Sequence, residues 1–131
     1  WFRTAREADY FGTTLYQVVW NKYIGYWSYD WLPASFYRLK LWLNNRQPQD
    51  AFIVELQAEP WLPNKDISVV SIDEMYKSMN LSRLKSNLQY ARKLGFSRNY
   101  LWGAEWWYWL QKKGYKEIPD FIKNLDKGEY F

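Results

Sequence analysis

The sequence predicts an α/β fold in which three parallel strands alternate with helices. Two short apolar runs, within Ala51 to Trp61 (AFIVELQAEPW) and Asn99 to Leu110 (NYLWGAEWWYWL), have the length and content of buried strands. Stretches with apolar residues at helical spacing flank and separate them. No hairpin signal stands between one strand and the next, so the strands should run parallel and be joined by right-handed crossovers.

Taken in order, Arg3 to Tyr10 reads as the end of a helix, with Ala5 and Ala8 on one side and charges around them. Tyr10 to Val19 (YFGTTLYQVV) is rich in aromatic and β-branched residues, which suits a strand. Asn21 to Leu32 has several rings, Gly25 and no steady period, and reads as a long loop. Pro33 fits the first turn of a helix. Leu32, Phe36, Leu39 and Leu43 then recur at helical spacing up to the Asn44-Asn45 pair, giving an amphipathic helix over Pro33 to Asn44.

Ala51 to Leu56 is the second strand, closed off by Pro60 and Pro63. Leu62 to Met79 has no clear period and reads as a polar excursion. Leu81, Leu84, Leu88, Ala91 and Leu94 mark one face of a helix with Asn80 as cap and Gly95 as stop. The third strand starts at Phe96 or Asn99 and ends at Gly103, followed by an aromatic loop. Ile118 to Leu125 forms a last helix opened by Pro119. Three strand-helix units of roughly 40 residues do not complete a barrel, and their surplus length falls after the strands, where active-site loops belong.

The 131 residues suit one domain, or part of one, spanning positions 1–131. The chain starts at Trp1 without an initiating Met or a signal-peptide pattern and reads as the interior of something longer. With 10 Trp and 12 Tyr, it has more large rings than a core of this size buries, so some should line a binding surface. The net charge of +4 is scattered rather than gathered into a stripe, which argues against nucleic acid. Arg83 to Lys93, the most basic stretch, reads as a solvated helix face. With no Cys and no His, thiol nucleophiles, disulfides, imidazole bases and the commonest zinc sites are excluded. No metal or other cofactor is expected. No apolar run reaches the roughly 18 residues of a membrane span.

The remaining catalytic vocabulary centres on carboxylates. Strand alternation puts Ile53 and Glu55 on one face and Phe52, Val54 and Leu56 on the other, so one face ends in a carboxylate. Such a charge is costly inside a sheet unless paired or functional; an ion pair or a solvated strand end are the other readings of Glu55. Glu59 reads as a solvated loop residue. Glu105 is either a substrate contact or an anchor for an indole N–H. Trp61, Trp102, Trp106, Trp107 and Trp109 crowd around these carboxylates, and flat indoles beside hydrogen-bonding carboxylates suit the apolar C–H faces of sugars.

Val54-Glu55-Leu56-Gln57 followed by Leu101-Trp102-Gly103 resembles the last strands of the clan A glycoside hydrolases, the (β/α)8 TIM barrels that include xylanase and cellulase families. The resemblance implies that the chain is the C-terminal portion of such a barrel, strands six to eight, with Glu55 as nucleophile and Trp102 as sugar platform. It aligns Tyr16 with the sixth-strand residue that contacts nucleophile or substrate. Trp61, Trp107 and Glu105 complete the expected substrate-binding set. Val54 and Gln57 stand where Thr and Asp are more usual, which bears on substrate identity. The clan's acid/base lies on the fourth strand, upstream of Trp1. The chain is therefore expected to need the remainder of the barrel and to be inactive without it.

The expected function is thus part of a retaining glycoside hydrolase acting on a β-linked glycan; the resemblance points to an extracellular or cell-envelope setting. A non-catalytic carbohydrate-binding or scaffold protein is the alternative. A third reading makes the aromatic segments a membrane-surface or protein-partner patch.

Overall fold

A computed structural model describes residues 7–63 and 66–125, together with Arg3. The helix end expected over Arg3 to Tyr10 lies largely outside these described residues. Strands β1 (Phe11–Leu15), β2 (Val18–Asn21) and β3 (Gly25–Ser28) come first, then helix α1 (Ala34–Leu43) and strand β4 (Ala51–Gln57). Helices α2 (Ile72–Ser78) and α3 (Leu81–Leu94), strand β5 (Arg98–Trp102), and helices α4 (Ala104–Lys112) and α5 (Glu117–Lys123) complete the described chain.

β1, β4 and β5 form a parallel sheet in that order, with β4 central. Helices cover one of its faces. Phe11, Leu15, Ala51, Ile53 and Leu56 of the sheet join Leu41 of α1 and Leu84, Leu88, Ala91 and Leu94 of α3 in a continuous apolar core. The other face is open: Gly12, Thr14, Val54, Tyr100 and Trp102 are exposed along it, and Phe52 lies half-buried edge-on to Tyr100. The three parallel strands and intervening helices match the predicted α/β class. α3 follows its sequence signals closely. The Asn80 side chain accepts from the Arg83 N–H at 2.9 Å, and Gly95 takes the left-handed conformation that ends the helix (φ 69°).

Five expectations need correction. Tyr10 to Val19 is two strands broken at Tyr16-Gln17, and Asn21 to Leu32 contains the second arm of an antiparallel β2–β3 hairpin rather than a plain loop. Its turn runs Asn21-Lys22-Tyr23-Ile24-Gly25, where the Asn21 side chain accepts from the Tyr23 N–H at 2.9 Å and Gly25 adopts φ 74°. The predicted α1 exists, but its buried stripe is Ala34, Tyr37 and Leu41, whereas Phe36, Leu39 and Leu43 face outward. Both stripes have helical spacing. The choice falls to α3, against which Tyr37 packs through Tyr90 while the Arg38 guanidinium donates to the Lys93 and Leu94 carbonyls.

The polar excursion holds α2, opened by Ser71, whose hydroxyl accepts from the Glu74 N–H at 3.3 Å. Met75, Ser78 and Met79 of this segment are buried. The aromatic run after Gly103 is likewise a helix, α4, burying Trp106 and Leu110 four residues apart. Among the described residues no helix is long and apolar enough to cross a membrane.

Candidate functional site

The carboxyl ends of β1, β4 and β5 gather most of the residues singled out in the sequence. Strict alternation does not hold in β4. Thr13 pairs with Ile53, Thr14 with Glu55 and Leu15 with Leu56, leaving Val54 as an extra residue in a β-bulge. The bulge turns Glu55 onto the open face, in register with Thr14, while Ile53 and Leu56 both stay on the helix-covered face. The expected grouping of Glu55 with Ile53 and of Val54 with Leu56 is thereby corrected. A bulge re-aims a side chain without breaking the strand, and here it re-aims the carboxylate.

Tyr16 follows β1 and donates its hydroxyl to Glu55 Oε2 at 3.0 Å. Burial, the bond to Glu55 and the Glu55 charge, with a smaller contribution from Glu59, push the Tyr16 pKa well above the ordinary phenol value. The phenol therefore stays protonated and acts as a donor to the carboxylate. Its position is fixed by Gln57, whose fully buried side chain serves the backbone at the β1–β2 break. Gln57 Oε1 accepts from the N–H groups of Gln17 (3.0 Å) and Val18 (2.9 Å), and Nε2 donates to the Val18 carbonyl at 2.7 Å.

Beyond β4 the chain lines a cleft of about 670 Å³ with Tyr16, Glu59, Pro60, Trp61, Leu62, Ile67, Trp102 and Trp106. That is within the size range of small-molecule sites. Trp61 stands edge-on to Tyr16, ring centroids 5.2 Å apart. Its backbone is pinned by Ser78 of α2: the Trp61 N–H donates to Ser78 Oγ at 3.1 Å and the hydroxyl donates to the Trp61 carbonyl at 3.2 Å. Trp102 ends β5 with 47% of its surface exposed and donates its indole N–H to Glu59 Oε1 at 3.0 Å. Trp106 is almost fully buried and donates to the Met75 sulfur.

Glu55 is part-buried beside this cleft rather than in its lining. Trp107 also lies outside the lining, with its indole N–H donating to the Ala58 carbonyl at 2.7 Å, so it ties α4 to the end of β4. Glu105 is exposed in the first turn of α4 and acts on the site through its charge. Gly103 makes this crowding possible. Its φ is 149°, and a Cβ there would stand 2.6 Å from the Ala58 carbonyl oxygen.

Glu59 is the residue that sequence reasoning passed over. It is a half-buried wall of the cleft instead of a solvated loop residue. Burial raises its pKa above the ordinary carboxyl value; the Trp102 hydrogen bond opposes this, and the charges of Glu105 and Glu55 reinforce it. Its sequence signal was slight, a Glu between an apolar run and Pro60-Trp61. Three carboxylates thus act on one mouth without a cation in the described lining. No cluster of three or more potential metal ligands occurs among the described residues. The arrangement offers flat indole faces, a protonated phenol and carboxylate acceptors, the chemistry suited to a polyhydroxylated ligand with apolar C–H faces. No family model, curated protein or solved structure matches the chain.

Proposed function

We propose that this chain is the C-terminal part of a retaining glycoside hydrolase acting on a β-linked glycan, within a (β/α)8 barrel. The observation that carries the reading is the Tyr16–Glu55 pair at the carboxyl end of the central parallel strand, beside a cleft walled by Trp61 and Trp102. Active sites of such barrels lie at that end of the strands. The open sheet face and the outer edges of β1 and β5, which pair with no further strand among the described residues, support the remainder of the barrel as the covering partner. The outward stripe of α1, with Phe36 and Leu39 flanking Tyr29, Trp31 and Leu32 around a shallow apolar groove, supports a neighbouring helix from the same source.

In this mechanism Glu55 attacks the anomeric carbon, the bond to the leaving oxygen breaks, and that oxygen takes a proton from a carboxylic acid contributed by the rest of the barrel. Water, deprotonated by that same group, then cleaves the glycosyl ester and releases Glu55. Tyr16 orients the nucleophile by its hydrogen bond, and Trp102 carries the sugar ring. Glu55→Gln in the full-length protein is expected to abolish hydrolysis of aryl β-glycosides while leaving sugar binding intact. Hydrolysis at the wild-type rate would refute the assignment.

A further inference from the structure

Glu55 accounts for bond cleavage but leaves the cleft's own carboxylate without a role. We infer that Glu59 reads the sugar: it accepts hydrogen bonds from hydroxyls of a neutral pyranoside lying on Trp102, and it excludes uronic acids and other anionic sugars. The inference rests on the glycoside reading above and adds the substrate class to it.

The geometry gives each part of Glu59 a task. One oxygen, Oε1, is occupied by the Trp102 indole N–H at 3.0 Å, which fixes the carboxylate relative to the ring that would carry the sugar. An ionised carboxylate has about four acceptor sites, so the group keeps capacity for sugar hydroxyls on the cleft side that it lines. Hydrogen bonds to a charged acceptor in a partly desolvated site are the strong class. The same indole bond orients Trp102, so platform and hydroxyl acceptor move as one unit.

Charge supplies the selectivity. Glu55, Glu59 and Glu105 are close enough for the first and third to act on the second. The described lining of the cleft has no Lys or Arg to receive an anion. Among the described lining residues a uronate meets like charge and no cation, whereas a neutral hexoside meets acceptors for its hydroxyls.

The test is a titration of the full-length protein, followed by tryptophan fluorescence, with methyl 1-thio-β-D-glucoside, its galactoside epimer and the corresponding glucuronide, all of which resist hydrolysis. The wild type is expected to bind a neutral glycoside and discriminate against the glucuronide. Glu59→Ala should weaken neutral binding by about tenfold or more, the loss of a charge-assisted acceptor. Glu59→Gln, which keeps the side-chain shape and an acceptor for Trp102, should narrow the ratio of glucoside to glucuronide affinity. Wild-type binding of a neutral glycoside with both variants inside twofold of it overturns the role of Glu59 and leaves the glycosidase reading standing. Absence of wild-type binding to all three ligands overturns both.

Discussion

Replacing Gln57 with Met tests whether the site is held by backbone satisfaction at the β1–β2 break. Methionine has similar length and volume but can replace none of the three hydrogen bonds that Gln57 makes to Gln17 and Val18. Gln17 and Val18 are each only 4% exposed, so water has little access to the two N–H groups and one carbonyl left behind. A buried polar group without a partner costs about 1–3 kcal/mol. Three such groups, partly relieved by local relaxation, give about 3–5 kcal/mol. With an m-value of about 2 kcal/mol/M, the urea midpoint should fall by about 1.5–2.5 M. Urea unfolding of the full-length protein measures this, and amide hydrogen exchange locates it. Protection should be lost first at Gln17 and Val18, and the Tyr16–Glu55 bond should loosen with it because Tyr16 adjoins the released segment. A midpoint within about 0.5 M of wild type, with exchange at both amides unchanged, would refute the reasoning.

Two further outcomes follow from the same geometry. Gly103→Ala places a Cβ 2.6 Å from the Ala58 carbonyl oxygen and 3.0 Å from Trp107 Nε1 at a φ of 149°; strain and displaced bonds should cost about 3 kcal/mol or more by chemical denaturation and lower sugar affinity through Trp102. Glu59 has its pKa raised by burial from an ordinary value of 4.5. Its contribution to stability is therefore complete below about pH 4.5 and is lost as pH rises through the folded-state pKa. Glu59→Gln has no such titration, so its melting temperature relative to wild type should become more positive from about pH 4 to pH 7 in differential scanning calorimetry; a flat difference would count against a desolvated Glu59.

The fold was legible where one signal had one structural solution. α3 has a single apolar stripe, an Asn cap and a Gly stop, and the structure uses all three. β4 is a short apolar run flanked by Asp50 and Pro60, and it lies at the centre of the sheet. Legibility failed where two solutions fitted the same spacing. α1 offers two apolar stripes, and only its packing on α3 selects Leu41 over Phe36 and Leu39. The hairpin and α2 had signals, Asn21 with Gly25 and Ser71 with Glu74, that were masked by irregular apolar content around them.

The site shows the same division at finer scale. Glu55, Trp61 and Trp102 are singled out by residue type and strand position and Tyr16 by the resemblance alone, and the four gather at one end of the sheet. What alternation could not supply was the bulge at Val54, because one extra residue in a strand leaves no mark in composition and yet decides which face every later side chain occupies. Without that bulge, Glu55 would stand on the Ile53 side, among helix-facing apolar residues, where an ionised carboxylate is costly to bury. With it, Glu55 reaches the Tyr16 hydroxyl, and Leu56 returns to the core. Gln57 then follows at the one position from which its amide closes the β1–β2 break. The irregularity in β4 is therefore the step that lets an apolar strand present a hydrogen-bonded carboxylate on its open face, and Glu59 and Trp102 are brought beside it by the ordinary course of the chain after that step.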